Sequence, residues 1–315
     1  MGYSRQLTSA QRVSIAAISL GCSIGCGLLG QSLRSQIAGD LVRDGLVLSR
    51  SGGFGDVQVR SVSGGSEVTY QLSVPTMVYG FTGDGKGVVG RNKPYQETAA
   101  GSYEFVTIGI DGRVGITFRI DEHSGTPRVA VTDDLTRLAV CGRFNRGTGT
   151  ISVGIYGMSG PARIFDLSET AFVCDQLSWN PKTLELAVGV GSEIVLIDTD
   201  PMHVISRWRG SLPAWARDGK RIAFRNATGL ICIRGAEASE PLCYRQGAAD
   251  FIVWSPTGDY LAFGKPDVDT FRTNRSILRV SDGAVLDVWS LMTVFRTPYV
   301  GWLKLPPGEM TMFAR

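Results

Sequence analysis

The sequence predicts an all-β protein, a six-bladed β-propeller, and two observations lead to that prediction. A short unit recurs in the middle of the chain, at Trp179, Trp215 and Trp254, with intervals of 36 and 39 residues. In each copy an alanine lies eight residues after the tryptophan. Intervals near 40 residues are typical of one propeller blade, which cannot bury its apolar face alone and must stack on its neighbours.

Each copy of the unit predicts a β-hairpin. The residues between its two apolar strands are turn formers, as in Arg217–Lys220 and Ser255–Gly258. Proline presets the first corner of such a turn, and glycine takes the following left-handed position without a steric clash. Looser copies start at Phe81, Val131 and Trp302. Six starts, and therefore six blades, are predicted.

The ring is predicted to close with strands from both ends of the chain. After Trp302 only two strands are expected, the second of them at Met310–Phe313. We expect the third and fourth strands of that blade at Asp56–Arg60 and Glu67–Leu72, where apolar and polar residues alternate. Closure of this kind would leave no open sheet edge.

The Trp-Ser-Pro-x-Gly pattern followed by Leu-Ala-Phe, at Trp254–Phe263, resembles the TolB-type, WD-like propeller repeat. That repeat is found in bacterial envelope proteins and as a non-catalytic domain of some peptidases. The resemblance covers most of residues 77–315 and is strongest in the copies at Trp215 and Trp254. Glycine is missing from the turns after Val131 and Trp179. The sequence has no room for the α/β domain that precedes the TolB propeller, so that domain's partner contacts are not carried over.

Composition and charge fit one large β domain. The apolar share of 43% is ample for a packed core, and 40 glycines suit a fold with many tight turns. The net charge of +3 is close to neutral for 315 residues, so a nucleic-acid partner is not predicted.

Residues 1–30 are predicted to be an N-terminal signal or membrane anchor, an apolar helix built on the uncharged run 13–30 after Arg5 and Arg12. An uncleaved anchor, a cleaved signal peptide and a lipoprotein signal remain alternatives, and so does a buried helix. Residues 31–55 are then a flexible linker and 56–315 the propeller. This organisation places the propeller on the extracytoplasmic side of the cell membrane or in the periplasm.

Four cysteines lie outside the apolar run. Cys232 and Cys243 fall on adjacent predicted strands of one blade, so an exported domain could form a disulfide between them. Cys141 and Cys174 could pair or remain free. None of the four has the spacing of a metal site.

No catalytic residue, cofactor site or metal site is predicted. The chain has two histidines, His123 and His203, which is too few for a histidine metal cluster. A calcium site built from aspartates remains possible, but turn capping explains those residues equally well. The expected candidates are Asp133, Asp134, Asp198 and Asp200.

Three long loops, at residues 91–102, 143–150 and 265–275, are predicted to leave the same face of the ring. They are rich in arginine and aromatic residues, which binding surfaces favour. The candidate partner-binding residues are Arg91, Lys93, Tyr95, Arg143, Phe144, Phe271 and Arg272. We therefore expect a non-catalytic module that binds a protein or peptide in the cell envelope. The alternatives are a propeller hydrolase or lyase and a small-ligand or sugar sensor, each acting in the central funnel.

Overall fold

The computed structural model describes sixteen stretches of the chain, and every structural statement below refers to them. They are residues 35–41, 43–44, 46–51, 56–60, 67–71, 76–92, 103–109, 114–120, 124–143, 151–157, 163–168, 174–235, 240–248, 250–266, 272–292 and 300–305. The N-terminal run 1–34 and residues 306–315 lie outside this set.

These stretches contain one short helix, α1, at residues 35–41, and strands that pair only in antiparallel fashion. In chain order the strands are β1 Leu46–Ser51, β2 Asp56–Arg60, β3 Glu67–Gln71, β4 Thr76–Phe81, β5 Gly87–Asn92, β6 Tyr103–Gly109, β7 Val114–Ile120, β8 Ser124–Val131, β9 Arg137–Arg143, β10 Ile151–Gly157, β11 Arg163–Ser168, β12 Cys174–Trp179, β13 Glu185–Val190, β14 Glu193–Thr199, β15 Met202–Arg209, β16 Ser211–Trp215, β17 Arg221–Arg225, β18 Leu230–Gly235, β19 Leu242–Gly247, β20 Ile252–Trp254, β21 Tyr260–Pro266, β22 Arg272–Arg279, β23 Val285–Met292 and β24 Val300–Lys304.

Five contiguous blades, each made of four consecutive strands, account for β4 to β23. A composite four-stranded sheet has the order β24-β1-β2-β3. The first strand of each blade is innermost, and these strands contact one another in the cyclic order β4, β8, β12, β16, β20, β24 and back to β4. The sheets therefore surround a common axis, and the apolar cores lie between neighbouring sheets.

The predicted six-bladed ring, closed by two strands from each terminus, is wrong. Only five blades are contiguous, and the composite sheet takes one strand from the C-terminal side and three from the N-terminal side. The place beside β24 is filled by β1, whose Leu48 pairs with Trp302 on one side and with Arg60 on the other. The apolar, β-prone run Leu46-Val47-Leu48 suits that position. The strand expected at Met310–Phe313 lies outside the described residues.

The fold class is also corrected at the N-terminal side, where a long apolar helix was expected. The one helix in the described stretches is the short α1, and it is not long and apolar enough to cross a membrane. The apolar run 13–30 itself lies outside the described residues.

Helix α1 packs against the fifth contiguous blade, β20 to β23, and against strand β24. Its Ile37 and Leu41, one turn apart on the same helix face, are buried in a cluster with Trp302. The hydroxyl of Tyr260 donates to Asp40 Oδ2 at 3.0 Å. Residues 35–51, within the predicted linker, thus hold a docked helix and strand β1.

Four of the hairpin turns between the first and second strands of a blade share one hydrogen-bond pattern. In the turn after β16, Ala216 N donates to Arg221 O at 2.8 Å and Gly219 N donates to Ala216 O at 3.0 Å. The fourth residue of the pattern has positive φ, and it is Gly85, Leu135, Gly219 or Gly258. Leu135, at φ 60°, holds the left-handed conformation without the glycine that the other three turns use.

The repeat tryptophans join neighbouring sheets. Each of three indole Nε1 groups donates to a carbonyl on the innermost strand of the preceding blade: Trp179 to Ala130 at 3.1 Å, Trp254 to Ala214 at 2.9 Å and Trp302 to Val253 at 3.3 Å. Trp215 is the exception, because its Nε1 is buried without a hydrogen-bond partner among the described residues. The repeat therefore encodes inter-blade contacts as well as turns.

Candidate functional site: the central channel and the loop face

A channel runs along the ring axis between the innermost strands. It encloses about 210 Å³ and is lined by β4, β8, β12, β16, β20 and β24. We call the end where the innermost strands begin the loop face, and the end with the four matching hairpins the turn face. The charged and amide side chains in the described lining of the channel are Arg128, Asp133, Asp175, Gln176, Arg217 and Asp250.

Gln176, on β12, crosses the channel near the loop face. Its Nε2 donates to Pro213 O on β16 at 2.9 Å and to Ile252 O on β20 at 2.7 Å. Ile252 N donates back to Gln176 Oε1 at 3.4 Å. Because β16 lies between β12 and β20 in the ring, one amide ties three innermost strands together. The hydrogen-bonding groups of the Gln176 amide are therefore used mainly to join innermost strands across the channel.

An ion pair crosses the channel at the turn face. Arg217 Nη1, in the turn after β16, lies 3.1 Å from Asp133 Oδ2, in the turn after β8. Burial raises the pKa of Asp133 above its ordinary value, Arg217 opposes that rise, and the neighbouring charge of Asp84 adds to it. The two turns are separated by the β12 blade, so the pair spans the mouth of the channel.

Two further carboxylates lie at the loop-face end. Burial raises the pKa of Asp175, and the positive charges of Arg225 and Arg128 oppose that rise. Asp250 accepts two hydrogen bonds from Arg275 Nη1, at 2.9 and 2.7 Å. The Arg275 side chain is only 1% exposed, and its guanidinium carbon lies 4.8 Å from the ring centroid of Phe251. The loop-face end of the channel thus carries two carboxylates, and arginine side chains of the protein lie close to both of them.

The structure gives positions for three of the predicted partner-binding residues. Arg91 is the fifth residue of β5, Arg143 ends β9 and Arg272 begins β22, so their backbones lie at the loop-face ends of those strands. The other four, Lys93, Tyr95, Phe144 and Phe271, lie outside the described residues. Strand direction therefore brings the three arginine positions to one face of the ring, on three different blades.

Both disulfides that the sequence allowed are present. Cys232 and Cys243 are cross-strand partners on β18 and β19, with Cα atoms 4.0 Å apart. Cys141 on β9 and Cys174 on β12 join two neighbouring blades. The first therefore fixes the outer half of one blade, and the second fixes the contact between two blades.

The aspartates considered for calcium do not come together. In the described stretches no group of three or more histidine, cysteine or acidic residues could hold a metal ion. Asp134 caps its own turn by accepting from Thr136 N at 3.1 Å, and Asp198 accepts from Asp200 N at 2.9 Å. The Nδ1 atom of His203 lies 2.9 Å from Pro201 O on the protein surface, and His123 lies outside the described residues.

Sequence reasoning did not single out Gln176, Asp175 or Arg217 as channel residues. Gln176 and Asp175 directly precede the Leu177-Ser178-Trp179 copy of the repeat. Two polar residues at the start of an innermost strand could have been noticed, because innermost strands border the axis. Their partners could not, since those lie 37 to 76 residues away along the chain.

The fold and the axial channel define this protein as a β-propeller. No protein-family model and no curated protein matches the chain. Similar solved structures include a chain of a nidogen/laminin complex, with 12% identity over 82% of this chain and 98% of that one and a TM-score of 0.55. A chain of Kuenenia stuttgartiensis hydrazine synthase is 18% identical, with 59% and 67% of the two chains covered and a TM-score of 0.42. A chain of a mitotic checkpoint complex is 18% identical, with 79% and 68% covered and a TM-score of 0.46. At these identities the similarity concerns the fold alone.

Proposed function

We propose that this propeller is a non-catalytic interaction module that binds a protein or peptide partner on its loop face. The observation that supports this most is the shared direction of three connections, β5–β6, β9–β10 and β21–β22, which leave the ring on one side. Connections held on a rigid scaffold are where binding residues concentrate. The arginines at these strand ends suit such a surface, because arginine is enriched in protein interfaces.

The channel supports the same proposal. Gln176 and the Arg217–Asp133 pair cross it near its two ends, so its side chains brace the ring. A braced ring holds its loops in a fixed arrangement, which lowers the entropy lost when a partner binds. The nidogen/laminin structure, whose fold is similar, is a complex between proteins. A propeller of similar fold is thus found in a protein complex.

We further propose that the protein works outside the cytoplasm, in the cell envelope, as a TolB-like propeller. The two disulfides support an oxidising compartment, because disulfides persist there and are rare in the cytosol. The repeat at Trp254–Phe263 supports the TolB-like assignment. A direct check is the redox state of the four cysteines in the cell: reduced thiols throughout would reject the envelope location.

The experiment that tests the function is a proximity-crosslinking pull-down from intact cells. It compares wild type with a variant in which Arg91, Arg143 and Arg272 are alanine. The matched control removes three positive charges from exposed turn-face positions, in the variant Lys86→Ala, Lys182→Ala, Lys220→Ala.

A partner that is captured by wild type and by the turn-face control, but lost by the folded loop-face variant, is the expected result. Equal capture by all three proteins would reject the loop face as the binding surface. Capture of no partner by any of them would reject the interaction module and favour a small ligand in the channel.

A further inference from the structure

A groove of about 350 Å³ lies between the third and fourth contiguous blades on the outer side of the ring. Its described lining includes Trp208 from β15, Phe224 from β17, Arg234 from β18 and the Cys232–Cys243 disulfide. Neither the channel nor the predicted loop-face arginines take part in it. The groove is therefore a second concave surface outside the channel, and its lining includes Asn226, Ala227 and Thr228 of the β17–β18 connection on the loop face.

Trp208 forms the apolar wall of the groove. A register shift between Leu196 and Ile197 on β14 breaks the alternation of β15, so that Trp208 packs against the fourth blade whereas Val204 packs against the second. Its ring meets Phe224 edge to face, with centroids 6.3 Å apart. Its indole Nε1 is buried and has no hydrogen-bond partner within the described part of the chain.

The charge of the groove is one-sided. The Arg234 guanidinium carbon lies 5.5 Å from the Trp208 ring centroid, and the described residues offer Arg234 no carboxylate within ion-pair distance. By contrast, Arg207 on β15 pairs with Glu193 at 3.7 Å. The described lining contains no acidic residue, so a negatively charged occupant would meet no repulsion from it.

The disulfide makes this wall rigid. Cys232 and Cys243 pair directly across β18 and β19, and Arg234 lies two residues after Cys232, on the same face of β18. The guanidinium therefore projects from a covalently braced strand pair. A preformed aromatic surface beside a cation that has no carboxylate partner among the described residues is arranged to bind an apolar side chain next to a carboxylate.

We propose that this groove binds an acidic peptide segment of a partner protein. An apolar or aromatic side chain of the segment packs on Trp208 and Phe224, and a neighbouring carboxylate pairs with Arg234. This inference rests on the proposed function as an interaction module and adds to it a second binding surface and the chemistry of its ligand.

The test uses the full-length oxidised protein with ¹⁵N-labelled tryptophan indoles, followed by NMR. The probe is the peptide ELDFE, and the charge-reversed peptide KLKFK is its control. The Trp208 indole signal is assigned as the one lost in Trp208→Phe. Arg234→Ala removes the proposed carboxylate partner, and Arg163→Ala, on outer strand β11 of another blade, is the matched arginine control.

ELDFE is expected to shift the Trp208 signal, whereas KLKFK is not. Arg234→Ala should weaken ELDFE binding about tenfold, the size expected for one charge-assisted contact, and Arg163→Ala should leave it unchanged. Equal binding of both peptides, equal binding by Arg234→Ala and wild type, or an unmoved Trp208 signal at millimolar ELDFE would each overturn the groove proposal. The pull-down with the loop-face variant is unaffected by these outcomes, so it tests the interaction module separately.

Discussion

The two faces of the ring are built in different ways. At the turn face, four hairpins repeat one pair of backbone hydrogen bonds, each closed within six residues of chain. At the loop face, Asp175 and Asp250 each lie four residues before a repeat tryptophan, but Asp250 pairs with Arg275 whereas Asp175 lies near Arg225 and Arg128. Gln176 donates to two other innermost strands. The repeat thus specifies one face by local sequence and leaves the other face free to differ from blade to blade.

This difference has an energetic consequence. Turn-face bonds are local and partly exposed, so each contributes modestly to stability. The loop-face pair involves an arginine that is 1% exposed, and a buried charge without its partner is costly. Substitutions at the two faces should therefore differ in size and in dependence on pH, and the following predictions, from the largest effect to the smallest, test that difference.

The largest effect is expected for Asp250→Ala. It leaves the buried guanidinium of Arg275 without a counter-ion and should lower the free energy of unfolding by about 3 kcal/mol. The turn-face counterpart is Asp218→Ala, which breaks the more exposed pair with Arg221 and should cost about 1 kcal/mol or less. Urea unfolding measures both. Equal losses would contradict the contrast between the two faces.

The next effect concerns backbone conformation at the turn face. Gly219→Ala should lower the free energy of unfolding by about 2 kcal/mol, because φ is +68° and an added Cβ would lie 2.6 Å from Lys182 Cγ. Gly39→Ala, in helix α1 with no neighbouring atom within 4 Å, is the control and should be stabilising by up to about 1 kcal/mol. Thermal unfolding compares the two, and a Gly219→Ala protein as stable as wild type would show that the left-handed turn is not required.

The tryptophan contacts offer a matched pair. Trp254→Phe removes an indole that donates to Ala214 O, whereas Trp215→Phe removes a donor that has no partner in the described part of the chain. The loss of ring volume is the same, so Trp254→Phe should cost about 1 kcal/mol more than Trp215→Phe. Chemical denaturation of both variants gives this difference. If Trp215→Phe lowered the free energy of unfolding more than Trp254→Phe, the inter-blade hydrogen bond would not be the main contribution of the repeat tryptophan to stability.

The smallest effect is a difference in sign between two aspartates. Burial raises the pKa of Asp175, so its ionisation opposes folding at neutral pH, and that cost disappears as pH falls through the raised value. Burial also acts to raise the pKa of Asp218, but hydrogen bonds from Lys220 N and Arg221 outweigh it and lower the value. The stability from Asp218 is therefore present above the ordinary aspartate pKa and is lost as pH falls through the lowered one.

Accordingly, Asp175→Asn should raise the free energy of unfolding at neutral pH and Asp218→Asn should lower it, each by less than about 1 kcal/mol. The Asp175 effect should shrink as pH falls through its raised pKa, and the Asp218 effect should shrink only at lower pH, as pH falls through its lowered pKa. Unfolding curves recorded at neutral pH and at a series of acidic pH values measure this. The same sign for both variants at neutral pH would refute the assignment.

The sequence predicted the all-β propeller class and the turn face well, because hairpin chemistry is local. Glycine and proline positions around Trp215 and Trp254 determine those turns directly. Even where glycine was missing, Leu135 adopts the same conformation, because the surrounding hydrogen bonds require it. Local signals were thus sufficient wherever the structure depends on neighbours within a few residues.

The closure of the ring and the channel could not be predicted in the same way. The run at Leu46–Ser51 resembles any short strand, and only its pairing with residues 300–304 reveals its place. Helix α1 was missed because Ile37 and Leu41 are two apolar residues in a polar segment, and their partner Trp302 is distant in sequence. The partners of Gln176 were hidden for the same reason.

The composite sheet determines when the ring can be completed during protein synthesis. Strand β1 is made early, but one of its two neighbours, β24, leaves the ribosome only after all five contiguous blades. Until then the sheet β1-β2-β3 lacks its innermost strand, and the edge of β1 that later pairs with β24 exposes unpaired backbone groups. Pairing across such a separation is slow, and an unpaired edge invites association with other chains. The growing chain therefore depends on strand β24 for protection of this edge against aggregation.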